Sequence, residues 1–167
     1  MNAVFYISAS VAVLATLMAI TRLNAVHALL YLIVSLLAAA LVLFVLGAPF
    51  VAALEVIIYA GAIMVLFVFV VMMLNLGPHS IAQEGRWLTP SVWIGPALLA
   101  LILLLELVIV LAQSPAAPNG GVVMDSGKVG LALFGPYVLA VELSSLLLLA
   151  GLVGAYHLGR RATVDRG

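Results

Sequence analysis

The chain alternates between long apolar stretches and short polar interruptions. The stretches run from Ala3 to Ile20, Val26 to Leu46, Val51 to Leu76, Val92 to Ala112 and Phe134 to Leu158. Each is close to the ~20 residues that cross a ~30 Å hydrocarbon core as a helix rising ~1.5 Å per residue. Lipid offers no partner to backbone N–H and C=O groups, so an apolar run of this length must satisfy them internally, as a helix does. The pattern predicts an all-α integral membrane protein, five transmembrane helices forming a single membrane domain over 1–167, without internal repeats.

The interruptions differ in kind. Thr21 to Ala25 and Gly47 to Phe50 have room only for tight turns, which ties the first three helices into an antiparallel unit. The segment 77–90 is polar and carries Glu84 and Arg86. The loop 113–133 holds SPAAPNGG, then Asp125, Ser126 and Lys128, and predicts one short surface helix capped by Asp125 or Ser126. Gly95-Pro96 and Gly135-Pro136 fall within the first turn or two of their helices, where proline's missing N–H has no intrahelical partner. Ala150 with Gly154, and Gly151 with Ala155, are small pairs spaced for close approach to a neighbouring helix.

Basic residues orient the chain, because cytoplasmic loops hold the excess of Lys and Arg. Arg22, Arg86, Arg160, Arg161 and Arg166 fall on one side and Lys128 on the other. The expected topology has the N-terminus outside, in the periplasm, and the C-terminus in the cytoplasm, with the third helix running inward. Met1 to Ile20 carries no positive charge ahead of its apolar run, so the first segment reads as a retained helix and not as a cleaved signal.

Composition strengthens this picture. The chain is 67% hydrophobic and 7% charged, far below the ~25% charge of a soluble domain, and its mean hydropathy is +1.39. A formal net charge of +0 leaves no basic surface for nucleic acid. With no cysteine there is no thiolate nucleophile and no cysteine-ligated iron–sulfur cluster. Phosphate loops, dinucleotide fingerprints and nucleophile elbows do not occur. His27, His79 and His157 come from different elements without ligand spacing, so no metal site is expected. Trp87, Trp93 and Tyr156 fit an inner aromatic belt, and Tyr6 and Tyr137 an outer one.

Three carboxylates lie inside the spans, where a charge costs a few kcal/mol unless it meets protein or water. Counted along the helices, Glu55 lies ~6 Å, Glu106 ~9 Å and Glu142 ~12 Å from the outer end. Each is either a carboxyl satisfied near the headgroups or a proton-relay and water-lining group, and the first reading weighs most for Glu106. Tyr59 follows Glu55 by one turn, on the same face. Gly61 stands ~15 Å from Val51, near the bilayer midplane. A mid-span glycine is either a packing contact or a place where the helix admits a π-bulge. From Ile63 to Met73 no polar side chain follows, so polarity on this helix stops at Gly61.

The block ALEVIIYAGAIMVLFVFVVMMLNL, with NAVHALLYLIVSLL before it and LFGPYVLAVELSSLLLLAGLV after it, resembles the J membrane-subunit family of bacterial proton-pumping NADH:quinone oxidoreductase, respiratory complex I. This family is the counterpart of the sixth mitochondrially encoded NADH dehydrogenase subunit, and the likeness covers Phe5 to about Gly159. The resemblance implies a non-redox subunit of the bacterial inner membrane, packed among the K, A, H and N subunits and lipid, with FMN, iron–sulfur clusters and quinone held by other subunits. It implies a third helix π-bulged around Tyr59 and Gly61. The resemblance further implies that rotation of that helix opens or closes a proton route, with Glu55 and Glu142 at acidic positions and Met64, Val65 and Phe67 packing the switch. Glu106 receives no role from it. The residues by themselves also fit a small stand-alone transporter or channel, although no inverted repeat supports alternating access, and a purely structural spacer.

Overall fold

The computed structural model describes residues 3–74, 90–112 and 124–159. Its helices are α1 (Ala3–Thr21), α2 (Ala25–Val45), α3 (Pro49–Leu54), a π-helical segment π1 (Glu55–Ile63), α4 (Met64–Leu74), α5 (Pro90–Ala112), α6 (Ser126–Leu133) and α7 (Val138–Gly159). The α3, π1 and α4 segments follow one another without interruption and make one rod, the third span. Among the described residues five helices are long and apolar enough to cross a membrane, as the hydropathy pattern predicts. The chain divides into two compact units after Met124.

In the first unit α1 and α2 form a hairpin. Asn24 caps α2 by accepting from the backbone N–H groups of Val26 and His27 at 2.9 and 3.2 Å, satisfying two donors that have no helical partner. At its other end α2 stops in a Schellman motif: Gly47 N–H donates to Phe44 O and Ala48 N–H to Leu43 O, both at 3.0 Å. Gly47 takes a φ of 88°, the left-handed conformation that this cap requires and glycine adopts freely. Pro49 then opens α3 at a position where no N–H is missed.

The packed centre of this unit consists of Val11 and Ala15 from α1, Val34, Ala38 and Leu41 from α2, and Leu103 from α5. Ala15 and Ala38 have no exposed surface. Lipid tails are as apolar as leucine, so close backbone approach and dispersion, rather than exclusion of water, hold such helices together. Hydroxyls are satisfied locally: Ser10, Thr16 and Thr21 donate to carbonyls one turn back on α1. α2 is the hub, touching α1, α3, π1, α4 and α5.

The second unit contains α6, capped by Asp125 through Gly127 N–H, and α7. The short capped helix is the one that Asp125 and Ser126 predict. The last span begins at Val138 and not at Phe134, because Phe134 to Tyr137 form a turn. Gly135-Pro136 therefore precedes the helix instead of lying in its first turn, and Glu142 sits ~6 Å and not ~12 Å beyond the helix start. In α5 the helix starts at Pro90, which leaves Pro96 inside it. α7 has no buried residue, and a Cβ on Gly151 or Gly154 would meet nothing within 4 Å.

Candidate functional site

The candidate site is the middle of the third span. Its nine π-helical residues, EVIIYAGAI, replace the regular α-turn, a far longer departure than the usual single π-turn. At the exit Met64 N–H still reaches back to Tyr59 O, five residues earlier, as well as to Gly61 O. Gly61 fits this backbone closely: a Cβ there would lie 3.0 Å from Val56 O, so a larger residue must displace that carbonyl or the turn around it. The sequence offers a packing contact or a π-distorted turn at Gly61, and the conformation is the second.

Burial divides the site residues. Ala60 and Met64 are buried, on the side of the rod that meets α2. Glu55 and Gly61 are half-buried. Tyr59 is 50% exposed, and Val65 and Phe67 are exposed at 64% and 51%. No side-chain hydrogen bond joins Glu55 to Tyr59. The pair thus presents a carboxyl and a phenol, six and two residues before the glycine, on a wall open to lipid or to another chain. Beyond Gly61 α4 reads MVLFVFVVMML, with nothing to carry a proton further. Between α2, the third span and α5 lies an apolar cavity of about 410 Å³ walled by Leu41, Ala52, Val56, Leu103 and Leu107, among others. It supplies no polar group.

Glu142 belongs to the second unit. It is exposed on α7, and its backbone carbonyl accepts the Ser145 hydroxyl at 2.8 Å.

The carboxyl that sequence reasoning weighed least is the one the structure buries. Glu106 is 6% exposed and accepts a 2.7 Å hydrogen bond from Ser8, which has no exposed surface. It is packed against α1 and is a buried carboxyl, not a surface one. The only signal in the sequence is that each residue is a polar group in an apolar helix. Their pairing spans 98 positions and cannot be read from spacing.

Among the described residues no group of three metal-ligating side chains converges. His27 lies against Tyr31 with ring centroids 5.0 Å apart and the rings tilted by 38°. His79, Glu84, Arg86, Trp87, Arg160, Arg161 and Arg166 lie outside the described residues.

Residues 15–158 match the family model of NADH-ubiquinone/plastoquinone oxidoreductase chain 6. The chain belongs to this family. NADH-quinone oxidoreductase subunit J of Pseudomonas aeruginosa is 62% identical over 162 residues, covering 96% of this chain and 98% of the relative. Subunit J of Escherichia coli K12 is 59% identical over 160 residues, 96% of this chain and 87% of that protein. Subunit J of Buchnera aphidicola from Acyrthosiphon pisum is 50% identical over 166 residues, 99% and 98%. The chain 6 match takes in the whole π-helical segment and α7 as far as Leu158, so the third span, with Glu55, Tyr59 and Gly61, lies inside the family's common region.

Proposed function

We propose that the chain is a membrane-arm subunit of a proton-translocating NADH:quinone oxidoreductase, coupling quinone reduction to proton movement, with the third span as a conformational gate on a hydrated proton route. The observation that carries this reading is π1. In a π-turn each N–H bonds five residues back, in an α-turn four. Converting Glu55–Ile63 between the two shifts every bond in the segment and rotates one end of the rod against the other. Glu55 and Tyr59 are thereby re-aimed relative to α4. Two packings of one helix that differ by a few kcal/mol make a switch, and Gly61 is the residue that keeps both within reach.

Membership in the family supports the rest. The chain itself is non-redox: it has no cysteine for a cluster, and FMN, iron–sulfur centres and quinone sit in other subunits. Its partners are the K, A, H and N subunits and lipid of the bacterial inner membrane. Met64 seats the switch against α2, while Val65 and Phe67 face those partners. Glu142, exposed on α7, supplies a second acidic group at the same assembly. The basic residues put the N-terminus in the periplasm and the C-terminus in the cytoplasm.

Gly61→Leu tests the gate. Placed 3.0 Å from Val56 O, its Cβ strains the π-turn. In membranes, NADH-driven proton pumping is expected to fall several-fold while complex content, followed by NADH oxidation with an artificial acceptor, stays near normal. A variant that assembles and pumps normally removes the switching role and leaves a structural spacer.

A further inference from the structure

Outside the third span, one titratable group among the described residues, Glu106, is buried and only half satisfied. Glu106 Oε2 accepts from Ser8, while Oε1 is fully enclosed with no hydrogen-bond partner. Enclosure by this chain's own atoms means that a neighbouring subunit cannot supply the missing partner. Buried polar oxygens without partners are rare and call for a cause. An ionised carboxyl held by one hydroxyl, with no Lys or Arg anywhere on α1, α2 or α5, is costly to bury. The other titratable groups on these three helices are Tyr6, exposed, and His27 and Tyr31. Arg22, just beyond α1, has its guanidinium 5.3 Å from the Tyr31 ring.

A metal cation is no remedy, since it would need several oxygen ligands and the site has a carboxyl and one hydroxyl. A proton needs no volume. It also removes the charge and turns one carboxyl oxygen into a donor, so it is the ligand that fits. We propose that Glu106, with Ser8 as its hydrogen-bond partner, is a proton-binding site of this subunit, distinct from the Glu55 and Tyr59 wall. Net, binding forms an O–H bond on the carboxylate and breaks one in a hydronium ion outside the enclosure, leaving water there; release is the reverse.

The surroundings extend this site along the helix pair. Ser8, Ala12 and Thr16 follow one another by one turn on α1, as do His27, Tyr31 and Ser35 on α2. Thr16 and Ser35 join the two rows, hydroxyl to hydroxyl at 2.7 Å, and lie 2.8 and 3.1 Å from Ala12 O, so one of them donates to the other hydroxyl while its partner donates to that carbonyl. Each row covers about 12 Å of helix, so the seam is polar at intervals over most of a ~30 Å bilayer core. Glu106 stands at its Ala3 end and His27 at its Thr21 end.

The proposal rests on proton translocation by the assembled complex, so wild-type complex in the same vesicles serves as the reference. Glu106→Gln keeps an oxygen to accept from Ser8 but cannot gain and lose a proton. It is expected to lower proton pumping per NADH about twofold or more with complex content unchanged. It is also expected to delete a protonated-carboxyl C=O band that the wild-type infrared spectrum shows and D₂O shifts. Ser8→Ala should move that band without abolishing it. Wild-type pumping by Glu106→Gln, a spectrum in which it removes no such band, or failure of Glu106→Gln to assemble despite the retained bond would each overturn the proposal. If the wild-type complex itself pumps no protons, the reading of the whole complex fails first.

Discussion

Three carboxyl groups of the same type meet three environments, and these decide what each can do. Glu55 is half-buried beside Tyr59, Glu142 is exposed on α7 and Glu106 is enclosed against Ser8. For Glu55→Gln, which keeps shape and hydrogen-bonding capacity but no exchangeable proton, a modest loss of pumping is expected, because a half-exposed carboxyl can be bypassed by water and neighbouring groups. Proton uptake per electron measured in vesicles checks this, and unchanged rate and ratio would return Glu55 to a satisfied carboxyl. Depth along a helix could be counted from the sequence. Burial could not, since a helix position faces lipid or protein according to which neighbour packs there.

At the scale of elements, caps and turns were legible and backbone register was not. Asn24, Gly47, Pro49 and Asp125 each stand where local chemistry needs them. Gly47→Val puts a β-branched residue at a φ of 88°, a strain of about 1–3 kcal/mol. The assembled complex is expected to lose thermal stability, whereas Gly47→Asn should be milder because asparagine tolerates this conformation. Thermal denaturation of the two purified variants compares them, and equal midpoints would show that the α2–α3 turn carries no such constraint. The π-turn needed more than local chemistry. Gly61 among Val56, Ile57, Ile58 and Ile63 permits it, but the same residues would also make a regular helix, and the choice depends on how Ala60 and Met64 pack.

As a whole the molecule exposes apolar side chains along nearly every helix, with Leu146, Leu147 and Leu148 on α7 open at 60–76%. Such surface has no place in water, so the chain needs lipid or its partner subunits around it. Solubilised gently from membranes, it is expected to migrate with a large assembly containing flavin and iron–sulfur centres; transport by the isolated chain in liposomes would instead favour a stand-alone carrier. The sequence by itself determined the number of spans, their approximate ends and the family, because hydrocarbon thickness and backbone hydrogen bonding impose a length and polarity that show in one dimension. The family resemblance already implied a π-bulge around Tyr59 and Gly61, but tertiary structure alone decided that it extends from Glu55 to Ile63 and that Glu106, not Glu55, is the enclosed carboxyl. Both depend on which faces meet: the Ser8–Glu106 contact joins residues 98 positions apart, and no periodicity within a single helix records its partner.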